Sequence, residues 1–86
     1  MNTIFTEAET LVAERARTYG HPADNLDKIA SLWGILLGMK ITAQQVALCM
    51  IALKLSRETY HHKRDNLVDI AGYLHIYCGI LGDENI

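Results

Sequence analysis

The chain has 86 residues, half of them apolar, with one proline, two cysteines and a formal net charge of −2. This describes a single helical domain over residues 1–86 and excludes a multidomain machine; eight Lys and Arg against ten Asp and Glu leave no overall basic field for duplex nucleic acid. A domain this small buries only about 60–65 % of its unfolded surface, so self-association is expected to supplement its core.

A first helix is predicted to begin between Thr3 and Thr6, where Thr6 and Glu9 have capping-box spacing. Its apolar stripe runs Ile4, Ala8, Leu11 and Val12 up to Arg15. Tyr19-Gly20-His21-Pro22 ends it, because Gly20 accepts left-handed backbone and Pro22 restricts His21 to extended geometry. A second helix is expected from a cap at Asp24 or Asn25, with Leu26, Ile29, Ala30, Trp33, Leu36 and Leu37 as its core stripe.

Gly38-Met39-Lys40 reads as a turn, and Thr42 with Gln45 repeats the capping-box pattern at the start of a third helix. From Val46 to Leu55 only Lys54 interrupts an apolar run, which puts this helix at the centre or in an interface. After the polar break Tyr60-His61-His62-Lys63-Arg64, a fourth helix carries the stripe Leu67, Ile70, Ala71, Leu74, Tyr77, Cys78 and Leu81. Its second row, Asp65, Asp69, Tyr73, Ile76 and Ile80, calls for a second partner, and residues 82–86 read as a short tail. The fold class that follows is all-α, a compact four-helix domain dimerising through the third and fourth helices.

Cys49 and Cys78 sit in apolar runs and are expected to be small buried hydrophobes in a reducing compartment. Glu7, Glu9, Glu14 and Arg15 interrupt any signal-peptide core, and no stretch approaches the roughly 18 apolar residues of a membrane span, so a cytoplasmic location is expected and no membrane partner.

Three polar clusters stand out. Arg15, Tyr19, His21 and Asn25 put a cation, an aromatic ring, an imidazole and an amide around one turn, a set suited to a planar ligand. Turn chemistry alone explains the same residues, with Gly20 and Pro22 ending one helix and Asn25 capping the next. Lys54, Arg57, Glu58 and His61 share a ridge of the third helix, where Lys54 must snorkel, pair with a carboxylate or meet an anionic ligand.

Asp65 and Asp69 lie one turn apart on the fourth helix. An antiparallel hairpin about His62 would set Asp69 opposite Lys54 to Arg57, and Asp65 opposite Arg57 or Glu58, as a structural ion-pair network. The functional reading makes Asp65 and Asp69 metal ligands for Mg²⁺, completed across the bundle by Glu7 and Glu14, with Lys54 and Arg57 on phosphates. The histidines lack the spacing of a helical zinc site, and no phosphate loop or nucleophile elbow is present. Gly72 inside the fourth helix implies a close helix contact or room for a ligand.

Arg15 with Tyr19-Gly20-His21-Pro22 and Asn25, Ile29-Ala30 with Trp33, Val46-Ala47 leading to Lys54 and Arg57, then Asp65-Asn66, Asp69 and Gly72-Tyr73 together resemble a family of small, uncharacterised tailed-phage and prophage proteins. The Lys-x-x-Arg helix followed by an Asp-rich helix is also distantly similar to the all-α MazG-like nucleotide pyrophosphohydrolases. Glu7-Ala8-Glu9-Thr10 does not reproduce the EExxE motif of those enzymes, and Asp65 and Asp69 are one residue too far apart for their ExxD motif.

The resemblance implies a phage protein in the bacterial host cytoplasm that binds a nucleotide or nucleotide-derived ligand through Arg15, Tyr19, His21, Asn25, Lys54 and Arg57. Its metal site would be degenerate, and catalysis is left open. The alternative is a non-enzymatic anti-defence protein that inhibits a host immune protein or sequesters an immune nucleotide signal. A third reading is a structural helical dimer whose polar clusters are ion pairs alone.

Overall fold

The computed structural model describes residues 2–82. Four helices follow in order, α1 Ile4–Tyr19, α2 Pro22–Leu37, α3 Ala43–Tyr60 and α4 Arg64–Leu81, with no strand among the described residues. The fold is all-α as expected. Apart from Gly82, which adopts left-handed backbone and caps α4, the predicted tail lies outside the described residues.

Helix α1 starts within the expected range but with a different capping pair, and α2 starts earlier than expected. The capping box of α1 joins Thr3 and Thr6: Thr6 N–H donates to Thr3 Oγ1 at 3.2 Å and Thr3 N–H to Thr6 Oγ1 at 2.8 Å. Thr6 therefore closes the first turn and leaves Glu9 without a capping role. Helix α2 begins earlier than Asp24, with His21 as its cap and Pro22 in its first turn. The His21 ring accepts the Ala23 N–H at Nδ1 (3.1 Å), the service an Asp or Asn would give, while proline supplies helical φ and has no N–H to satisfy. Thr42 and Gln45 form the reciprocal box predicted for α3.

Helices α3 and α4 make an antiparallel hairpin, with Lys54 meeting Asp69 and Glu58 meeting Asn66. Helix α1 lies alongside α4 and runs in the same direction, since Glu7 pairs with Arg64 while Val12 packs beside Gly72 one to two turns on. Helix α2 lays Leu26 and Ala30 on Ala43, Val46 and Ala47 at the start of α3. Trp33, Ile41, Met50, Ile76, Tyr77 and Ile80 close around this cluster.

The core is built largely of small residues, and Val46 is the largest side chain fully enclosed. Much of the apolar half of the sequence therefore remains outside. Leu36 and Leu37, predicted in the core stripe of α2, are 81 % and 65 % exposed, because the helix extends past the elements it packs on. Cys49 is exposed and Cys78 half-buried, against the expectation of two buried thiols, since α3 turns only one flank to the core. On α4 the buried residues are Asn66, Val68 and Gly72. The leucine stripe that looked like its principal packing face is half-buried to exposed.

Candidate functional site

A groove of about 400 Å³ opens between α1, α2 and α4, within the roughly 300–1,000 Å³ of small-molecule sites. Its walls are apolar, formed by Leu11 and Val12 of α1, Leu26 and Ile29 of α2, and Ile76 of α4. Arg15, Tyr19, Asn25, Asp69 and Tyr73 supply its polar groups. Each is positioned by ordinary helical geometry. Arg15 and Tyr19 lie one turn apart near the end of α1, Asn25 lies in the first turn of α2, and Asp69 and Tyr73 are one turn apart on α4.

Gly72 lies at the close helix contact foreseen for it. It is buried and lines the groove, and a Cβ placed there would meet Val12 Cγ2 at an ordinary contact distance of 3.6 Å, so α1 packs directly on α4 at this point. Gly20, at φ +86°, lets the chain turn sharply at the groove rim between Tyr19 and Pro22.

Four of the predicted site residues thus converge, namely Arg15, Tyr19, Asn25 and Asp69. Lys54 joins them indirectly, its Nζ lying 3.0 Å from Asp69 Oδ2 with both side chains largely buried. That pair neutralises the one carboxylate of the groove. Arg15 makes no ion pair among the described residues and is the groove's uncompensated charge. His21 and Arg57 are exposed and do not line the groove. Tyr73 is the polar residue that sequence reasoning did not single out for the site; its place after Asp65 and Asp69 in the second row of α4 was the available signal.

Asp65 lines a second, polar groove between α1 and the start of α4, with Glu7, Glu14 and Arg64. There Arg64 donates from Nε to Glu7 Oε2 at 2.9 Å. The partner expected for Asp65 is taken differently: Glu58 faces Asn66, whose amide donates to Glu58 Oε1 at 3.1 Å. Glu58 also accepts from the Lys63 N–H and contacts the His62 ring. The His62 hydrogen bond first, then that of the Lys63 backbone, hold its carboxyl down at about 2; desolvation opposes them and Asn66 adds to them.

Asp69 and Asp65 therefore serve different grooves. Among the described residues no three His, Cys, Asp or Glu side chains form a metal-ligating group; Asp65 shares its groove with Glu7 and Glu14, the carboxylates expected to join it, while Asp69 lines the other groove. No helix among the described residues is long and apolar enough to cross a membrane.

The family model for a domain of unknown function, DUF6378, matches residues 3–80. The chain belongs to that family. The match spans all four helices, so the DUF6378 domain includes both walls of the groove and the α3–α4 hairpin. Among curated proteins, the DUF6378 chain is 41 % identical over 76 residues to the Gene 55 protein of Mycobacterium phage L5, covering 85 % of this chain and 48 % of the phage protein. It is 40 % identical over 74 residues to the Gene 55 protein of Mycobacterium phage D29, covering 83 % and 48 %. The chain thus spans about half the length of these relatives. The matches support the phage family expected from the sequence. No solved structure matches the chain.

Proposed function

We propose that this phage-family domain binds a small anionic planar molecule, a nucleotide or nucleotide-derived ligand, in the groove between α1, α2 and α4. The observation that carries the reading is the convergence of Arg15, Tyr19, Asn25 and Tyr73 over apolar walls, with Arg15 the uncompensated charge and Asp69 neutralised by Lys54. Arg15 meets the phosphate through its planar guanidinium, the tyrosine rings offer stacking faces to a base, and the Asn25 amide offers a donor and an acceptor to its edge. The division of labour expected from the sequence shifts accordingly, from Lys54 and Arg57 to Arg15 on the phosphate.

The choice of a nucleotide as the ligand class rests on the distant resemblance of the Lys54-x-x-Arg57 helix and the Asp-rich helix after it to MazG-like enzymes. Asp65 and Asp69 line different grooves, and the reading proposed is one of binding. Sequestration of an immune nucleotide signal, the anti-defence alternative, would use the same groove.

The test is thermal denaturation against a panel of nucleoside monophosphates, triphosphates and cyclic nucleotides, with and without Mg²⁺, repeated on Arg15→Gln. A ligand present at 100 times its Kd adds about 2.7 kcal/mol of stability, and Arg15→Gln is expected to lose that gain. No shift with any member of the panel at millimolar concentration, or an equal shift in the variant, overturns the proposal.

A further inference from the structure

The α3–α4 hairpin shows two unlike faces. One receives α1 and α2; the other carries Leu48, Ile51 and Leu55 of α3 beside Leu67, Leu74 and Leu81 of α4, all half-buried or exposed. Between residues 48 and 55 and between 67 and 81, Lys54 and Asp69 are the only Lys, Arg, Asp or Glu, and they are turned to each other inside the hairpin. The exposed positions of these stretches are Leu48, Cys49, Ala52, Leu53 and Leu55, then Leu74, His75, Gly79 and Leu81. A helix facing water on one side ordinarily carries charge there, and this pair carries none across about two turns of α3 and about four of α4.

The dimensions agree. The chain exposes 6256 Å², whereas a folded monomer of its 9.6 kDa exposes about 5,100 Å². Its radius of gyration is 13.3 Å against about 12 Å for a self-contained domain of this length. The surplus over the whole chain, about 1,200 Å², leaves room for the roughly 800 Å² that each partner buries in a standard interface.

We infer that the α3–α4 face is covered by a second copy of this chain in a two-fold symmetric dimer. A neutral leucine surface is complementary to itself, as a two-fold interface requires, and offers no charge pattern to select a different partner. A second apolar patch, Leu32, Ile35, Leu36 and Met39 on the last turns of α2, is more exposed residue by residue. It spans the end of one helix only, is bounded by the exposed Lys28 and Ser31 before it and Lys40 after it, and is narrower than the two-helix α3–α4 face, which is the one assigned.

Sedimentation velocity of the full chain from about 1 to about 200 µM is expected to show a species of about twice the protomer mass. Leu48→Glu and Leu74→Lys, separately, are expected to shift it to the monomer. Ile35→Glu with Leu36→Glu is expected to leave the dimer intact. Leu74→Ala, a milder change, is expected to weaken association while circular dichroism retains the helical content. A wild-type monomer throughout that range, or a dimer lost in the α2 variant and retained in the Leu48 and Leu74 variants, overturns the inference.

Discussion

At the α3–α4 corner, Glu58 collects hydrogen bonds from Lys63, Asn66 and the His62 ring, each of which favours its ionised form. Its carboxyl is held at about 2 in the fold against an ordinary 4.5. The folded value is the lower one, so the stabilisation is fully present above about pH 4.5 and is lost as pH falls toward 2. Urea denaturation at a series of pH values is expected to show the midpoint declining across that window, with a shallower decline in Glu58→Gln. Gly34 and Gly72, both inside helices, should respond oppositely to alanine. At Gly72 a Cβ meets Val12 at an ordinary contact distance of 3.6 Å, so Gly72→Ala is expected to raise stability by about 0.5–1 kcal/mol through helix propensity. At Gly34 the same atom would lie 2.8 Å from the Met39 carbonyl oxygen, backbone that cannot swing away, and Gly34→Ala is expected to cost about 1–3 kcal/mol. Denaturation midpoints of the two variants check both signs.

At the scale of the elements, the ion pair of Lys54 and Asp69 sets how α3 lies on α4. Removing Lys54 alone leaves a carboxylate in a mostly dry seam, and Lys54→Met is expected to destabilise, by less than the about 3–5 kcal/mol of a fully buried pair. Lys54→Met combined with Asp69→Leu is expected to recover most of that loss, which a double-mutant cycle measures. The hairpin register was legible in the sequence because a single lysine within an apolar run has few acidic groups to meet. The start of α2 was less legible: His21 caps through its ring nitrogen, a role the sequence would sooner give to Asp24 or Asn25. The stripe of α4 was legible as a pattern, but its destination was not, since periodicity finds an apolar face without saying which neighbour covers it.

For the whole molecule, the two proposed surfaces fall on different sides of α4. Its row through Asp69, Tyr73 and Ile76 faces the groove, while Leu67, Leu74 and Leu81 lie on the flank turned away from α1 and α2. A dimer formed on that flank leaves the groove open in each copy, so association and ligand capture do not compete for area. The small-residue core explains why the second surface matters. With Ala8, Ala30, Ala43 and Ala47 in the interior, helices approach closely but bury few large side chains, and the leucines left outside are the apolar area still to be removed from water.

By itself the sequence determined the four helices, most of their ends, the placing of Asp69 opposite the stretch from Lys54 to Arg57, and the grouping of Arg15, Tyr19 and Asn25 about one turn. These depend on spacing within a turn or two of helix, or on a lone charge with few partners. Tertiary structure decided that α1 runs alongside α4, which brings Arg15 and Tyr19 over Asp69 and Tyr73, and that Asp65 falls into a different groove from Asp69. It also decided which leucines remain outside. Those outcomes depend on the direction and reach of one helix against another, which follow from the summed packing of side chains distant in sequence and leave no local mark in the chain.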